Sequence, residues 1–237
     1  MPYAPRIIDD ELSKHLAAIG AVVLEGPKAS GKTETARQVA ASEVRFDIDE
    51  AARQAAELDP KLALEGDVPR LLDEWQVVPA LWNHVRREVD SRPEPGQFIL
   101  TGSAVPPDDE ARHTGAGRIT RLPMQPMSLF ESDRSNGEIS LAALLAGQES
   151  RSVDSGLTAE DLVNEVAIGG WPGLRGLKPD QAMLAARGYL DEIRRVDVSR
   201  VGNKVRDPER VGRSAQLGPP RRHLCEPTNP RCRHRRL

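Results

Sequence analysis

Aromatic residues are scarce in this 237-residue chain: three Trp, two Tyr and three Phe, 3% of the total. A core built from it must rest on Leu, Val, Ile and Ala, which bury readily. Cysteine is scarcer still. Cys225 and Cys232 both lie near the C-terminus, so no disulfide framework staples the body, which fits a reducing cytoplasm. Long apolar runs are missing too. The most apolar early stretch, residues 16–24, is too short to cross a bilayer, and it follows Asp9, Asp10 and Glu11, the wrong flank for an export signal. The chain therefore reads as soluble and cytoplasmic, with no membrane partner. Its length suffices for one α/β domain and part of a second.

The net charge of −3 hides an uneven spread. Residues 213–237 hold seven Arg against one Glu, which leaves the rest of the chain near −9. An acidic body argues against general binding to a nucleic-acid backbone, so any such contact rests on the tail. The tail itself has no apolar period and cannot build a core. Its His223, Cys225, Cys232 and His234 match no dependable metal-ligand spacing. The abrupt change near Val211, inside a helical run, reads as out-of-frame translation of GC-rich DNA. That reading predicts an intact longer frame past residue 211 when the locus is sequenced, and fails if no frame continues.

Short apolar runs alternate with helical periods over the first 125 residues. Residues 21–25 read as a buried strand and 32–41 as a helix. Residues 44–48 read as a second strand, 51–58 as a helix, and 70–73 as a third strand entered from Pro69. In 78–89 the apolar residues Val78, Leu81, Trp82, Val85 and Val89 fall at helical spacing. Residues 98–101 and 119–122 complete a set of five strands. Alternation of this kind implies a parallel sheet with helices on both faces. After Pro126 the pattern changes. Ser128…Glu131 and Thr158…Asp161 have the form of capping boxes. Residues 141–205 read as helical, broken at Gly169-Gly-Trp-Pro172 and resumed over 181–198. Three regions are expected: an α/β core over 1–135, a helical subdomain over 136–211 and a disordered tail over 212–237.

The chemistry is concentrated in three strand ends. Gly26-Pro27-Lys28-Ala29-Ser30-Gly31-Lys32-Thr33 follows an apolar strand and opens a helix. This is the Walker A pattern, in which glycines let the loop curl so that backbone N–H groups and a helix N-terminus face phosphate. Lys32 is expected to reach the β- and γ-phosphates of ATP, and Thr33 to place its hydroxyl on Mg²⁺. About forty residues on, Leu71-Leu72-Asp73-Glu74 supplies an acidic strand end. Asp73 is the candidate Mg²⁺ partner and Glu74 the candidate general base. The strand Phe98-Ile-Leu-Thr-Gly-Ser103 ends in hydroxyls, with Ser103 first choice and Thr101 second as a phosphate sensor. Arg118, in Gly115-Ala-Gly-Arg118, is the candidate arginine finger, with Arg121 as runner-up. Trp75 and Trp82 are expected to pack in the core or against a loop near the nucleotide. Gly169-Gly-Trp-Pro172 reads as a structural turn.

These segments in order, followed by Ala116-Gly-Arg-Ile119 and Pro126-Met-Ser-Leu-Phe-Glu131, resemble the prokaryotic AAA-type ATPases that carry a C-terminal domain of unknown function. Gly169-Gly-Trp-Pro-Gly173 resembles their middle helical region. The resemblance covers roughly residues 3–210. It implies a P-loop NTPase sandwich with residues 26–33 as nucleotide loop, Asp73 and Glu74 as Walker B and Ser103 at the sensor position. It also implies a further C-terminal domain, which the odd tail replaces here. The expected function is Mg²⁺-dependent ATP hydrolysis coupled to an unidentified protein partner, possible in a homo-oligomer. The alternative is a nucleotide-binding module that no longer hydrolyses. A small-molecule kinase ranks third, since no arginine cluster stands near the 60s to form a lid.

Overall fold

A computed structural model describes residues 2–102, 114–149, 154 and 156–197. Five strands, β1 (Ala21–Glu25), β2 (Ser42–Arg45), β3 (Arg70–Asp73), β4 (Phe98–Gly102) and β5 (Ile119–Pro123), form one parallel sheet in the order β2-β3-β4-β1-β5. Side chains alternate across a strand, and here both sides are buried. Ala21 and Val23 face one way, with Leu72, Phe98 and Leu100. Val22 and Leu24 face the other, with Leu71, Ile99 and Leu122.

Each face is covered by its own helices. Helix α1 (Ile7–Leu16) brings Ile8, Leu12 and Leu16 to the Val22 side, joined by Ala36 of α2 (Lys32–Arg37). Helix α3 (Glu50–Leu58) gives Ala56 to the Val23 side, and α4 (Leu81–Ser91) gives Leu81, Trp82 and Val85. The expected three-layer sandwich is present. Trp75 and Trp82 pack in its core, ring centroids 5.4 Å apart.

Several boundaries differ from the sequence reading, for local reasons. Helix α2 stops at Arg37 rather than residue 41, because the chain turns there to bond Ala41 N–H to the Pro69 carbonyl at 2.8 Å. Strand β2 is an edge strand that starts two residues early, and its register, Arg45 opposite Asp73, is set by β3 alone. Ile48, expected within it, is 65% exposed. A 3₁₀ turn over Trp75–Val77, with Pro79 behind it, delays α4 to Leu81. Helix α1 carries Ile8, Leu12 and Leu16 four residues apart, a helical period that the sequence reading passed over.

Beyond residue 125 the described residues hold helices and turns. These are α5 (Leu141–Leu145), α6 (Ala159–Ile168), a 3₁₀ turn over Pro172–Leu174 and α7 (Pro179–Glu192), continued by a π turn over Ile193–Asp197. Thr158 and Asp161 form the capping box of α6 in both directions. The Ser128–Glu131 bonds also form, but around a turn rather than a helix. The chain divides into two compact units, Met1–Ala182 and Met183–Leu237. In the second, described over 183–197, Arg194 pairs with Asp191 at 3.3 Å.

Candidate phosphate-binding site

In a parallel sheet every strand ends on the same side. The described loops after β1, β3 and β5 therefore open on one edge, and register brings Asp73 opposite Thr101 and Glu25 opposite both Gly102 and Pro123. Ligands of open α/β sheets bind at this carboxyl edge, near a strand flanked by connections that run in opposite directions. β1 is such a strand here, with β4 on one side and β5 on the other.

The loop over residues 26–31 leaves β1 under tight constraint. A Cβ on Gly26 would lie 2.1 Å from the Met124 carbonyl oxygen, because the chain beyond β5 runs alongside and bonds Met124 N–H to the Glu25 carbonyl. Gly31 is left-handed, φ +100°, as it enters α2. Ala29, at φ 59°, takes the same region at a steric cost that glycine would not meet. Lys32 is buried and folds back over the loop, donating Nζ to the Gly26 carbonyl at 3.0 Å and the Pro27 carbonyl at 2.8 Å. Burial pulls its pKa down from the usual lysine value, and the Glu74 and Asp73 carboxylates oppose that pull. Ser30 Oγ is fully buried and has no hydrogen-bond partner.

Asp73 joins three strand ends. It is 2% exposed, and its Oδ1 accepts the Thr33 hydroxyl at 2.8 Å and the Thr101 hydroxyl. Arg45 Nε stands 3.7 Å from Oδ2. Glu74 follows in left-handed backbone, φ 56°. Burial pushes its carboxyl above the ordinary range, against a hydrogen bond from Gln76 Nε2 that favours the ionised form.

These residues suit a nucleoside triphosphate with a divalent cation. A retracted cationic lysine, an unsatisfied buried hydroxyl and left-handed loop peptides are features that a phosphate group would satisfy. Thr33 and Asp73 are hard oxygen donors already adjacent, the chemistry that Mg²⁺ takes.

The structure thus brings together residues 26–33, Asp73 and Glu74, with Thr101 beside them. Ser103 and the tail, 212–237, lie outside the described residues. Arg118 does not join the site. It precedes Ile119, which pairs with Ala21 at the start of β1, so it stands at the opposite edge of the sheet, about 13 Å of strand away. There its Nε bonds Asp90 at 2.6 Å. Arg121 lies nearer, but it is paired with Glu25 and stacked 4.7 Å over the Trp82 ring centroid.

Sequence reasoning missed three neighbours of the loop. Trp171, in the turn read as merely structural, donates its indole N–H to the Lys28 carbonyl at 3.1 Å. The turn is seated by Met127 N–H on the Gly170 carbonyl at 2.6 Å, where a Cβ on Gly170 would lie 2.3 Å from the Met127 carbonyl oxygen. Arg6 donates to the Ser30 carbonyl at 2.8 Å. The Tyr3 hydroxyl bonds Asp9 at 2.6 Å and shares a hydrogen bond with Thr35 of α2 at 2.9 Å. Burial first, then the Asp9 hydrogen bond, keep that hydroxyl protonated well beyond its usual range. Only the Gly-Gly-Trp-Pro turn stood out in the sequence.

Residues 19–132 match a family described as "AAA domain". Two uncharacterized proteins, Rv2008c of Mycobacterium tuberculosis and Mb2031c of Mycobacterium bovis, are each 38% identical to this chain over 88 residues. That stretch is 36% of this chain and spans 20% of the length of either relative. Among solved structures, the Walker-type ATPase PABY2304 of Pyrococcus abyssi aligns with a TM-score of 0.47 at 13% identity, over 90% of this chain and 77% of its own. The AAA domain of FIGL-1 in complex with ADP aligns with a TM-score of 0.42 at 16% identity, over 90% and 87%. The family match falls on the segment that carries the phosphate loop and the acidic strand end, and over residues 19–132 the chain is similar to an AAA domain.

Proposed function

We propose that this chain binds ATP with Mg²⁺ at residues 26–33 and hydrolyses it slowly, as a homo-oligomer that passes nucleotide state to a protein partner through its helical segment. The observation that carries the reading is Asp73, held between the Thr33 and Thr101 hydroxyls at the strand edge that also holds Lys32 and Glu74. In this reading the loop amides and Lys32 bind the phosphates, and Thr33 and Asp73 hold Mg²⁺. Mg²⁺ supplies neutralisation of charge on the phosphate oxygens. Glu74, raised by burial, accepts the proton of the attacking water. Thr101 orients Asp73.

Coupling has a specific carrier. The Trp171 indole rests on the Lys28 carbonyl of the loop itself, so a loop that rearranges around phosphate changes the footing of the turn that leads into the Pro172–Leu174 segment. One observation favours a second reading, binding without turnover: the Gln76 amide holds the Glu74 carboxylate, which a working base must leave.

The test measures binding and turnover together on wild type, Lys32→Ala and Glu74→Gln with ATP and Mg²⁺. Binding and turnover by wild type, no binding by Lys32→Ala, and binding without turnover by Glu74→Gln support the ATPase. Wild-type binding without turnover selects the second reading. A wild type that binds no ATP overturns both.

A further inference from the structure

Arg6 is the one arginine among the described residues that counts as buried, 7% exposed. Its guanidinium is used on three sides. Nε bonds Glu131 at 2.9 Å, one terminal nitrogen bonds the Ser30 carbonyl at 2.8 Å, and the other bonds the Gln125 carbonyl at 2.8 Å. Glu131 in turn accepts the Ile7 amide at 2.9 Å, the Ser128 amide at 2.7 Å and the Ser128 hydroxyl at 2.9 Å. An ion pair this deeply buried persists only when its members find further partners, and here each guanidinium nitrogen and both carboxylate oxygens have one. The pair fastens three segments that are far apart in sequence: the entry to α1, the phosphate loop and the chain that follows β5.

The contact with Ser30 has a consequence for phosphate. A peptide is planar and trans, so the carbonyl of Ser30 and the N–H of Gly31 point in opposite directions. Fixing that carbonyl outward fixes the Gly31 N–H inward. The peptide leads into Gly31 at φ +100° and follows one residue after Ala29 at φ 59°, both in a region where ordinary side chains are strained. A loop of this kind can relax by rotating the peptide, and Arg6 opposes the rotation. Its terminal nitrogen would also lie 3.4 Å from a Cβ on Gly31, so a positive charge stands directly behind the cradle.

We infer that Arg6, braced by Glu131, is a positioning residue that locks the Ser30–Gly31 peptide with its N–H directed at the nucleotide phosphates. This rests on the nucleotide reading above. Within the phosphate loop Arg6 bonds to backbone alone, at the Ser30 carbonyl, so its effect scales with the phosphates of the ligand.

The experiment compares affinities of wild type, Arg6→Met, Arg6→Lys and Glu131→Gln for MgATP and for adenosine, with thermal melting of each. Arg6→Met is expected to weaken MgATP roughly tenfold or more, the scale of a lost charge-assisted hydrogen bond, while adenosine affinity changes less than about twofold. Arg6→Lys, which keeps the charge and one donor, recovers part of the loss. Glu131→Gln falls between, and it carries the test if Arg6→Met does not fold. Equal losses for MgATP and adenosine, or a lower melting temperature with unchanged affinities, overturn the inference and leave Arg6 a scaffold residue. A wild type that binds no MgATP overturns the nucleotide reading and this inference together.

Discussion

Glu74 is held in an environment that disfavours its charged form. It is an acidic side chain in left-handed backbone, half-buried, with its carboxyl pushed above the ordinary range. A carboxyl raised on folding contributes stability below its unfolded pKa, about 4.3, and that contribution is lost as pH rises through the folded value. At neutral pH the ionised form opposes folding, so Glu74→Gln should melt no lower than wild type in a thermal scan. Its turnover should fall by roughly 10²–10⁴, the worth of a general base. The acid limb of the wild-type rate profile should lie above the usual glutamate range and vanish in the variant. A destabilised variant would contradict the raised carboxyl, and an acid limb that survives in the variant would place the base elsewhere. Gly26 makes a second case. With Met124 carbonyl oxygen 2.1 Å from its missing Cβ, Gly26→Ala must push apart two backbones. A loss of about 1–3 kcal/mol in denaturant unfolding is expected, together with weakened ATP affinity.

At the scale of elements, the strands that build the site were legible and the struts that hold it were not. Strands β1 and β5 begin where the apolar runs begin, and the loop, Asp73 and Glu74 could be read because each lies within a few residues of the pattern that announces it. Arg6 and Glu131 meet across 125 residues, and Trp171 and Lys28 across 143; no local period encodes such partners. The ends of α2 and β2 were misplaced because the neighbouring Pro69 and Asp73, not propensity, set them. The Trp171 contact yields a direct prediction. Trp75 and Trp82 are 2% and 3% exposed inside the sheet core, so a change of indole emission on adding MgATP should come from Trp171. Trp171→Phe keeps an aromatic ring, drops the N–H, and should abolish the change. An unchanged wild-type spectrum, or a response that survives in the variant, would remove this turn as the coupling element.

At the scale of the whole molecule, one strand order explains both what the site contains and what it lacks. Parallel strands gather residues 26–33, Asp73 and Thr101 at one edge and leave Arg118 at the other. From there Arg118 cannot meet phosphate in its own chain, so a finger role requires a second copy to receive it. Its present bond to Asp90 joins two side chains that are 40% and 44% exposed. Such surface pairs are worth about 0–1 kcal/mol, too little to prevent transfer to a neighbour's phosphate. Turnover per chain should therefore rise with protein concentration as copies assemble. Arg118→Ala should leave ATP affinity within about twofold and remove the rise, lowering the plateau by roughly 10²-fold or more, since an arginine finger contributes about 10³–10⁵. Mixing Arg118→Ala with Lys32→Ala discriminates further. The first keeps an intact nucleotide loop, the second an intact arginine, and a site shared between copies lets the pair regain activity that neither has alone. Turnover that is flat in concentration and indifferent to Arg118→Ala would mean that each chain works with the residues of its own strand edge, and Arg118 would be left as the surface partner of Asp90.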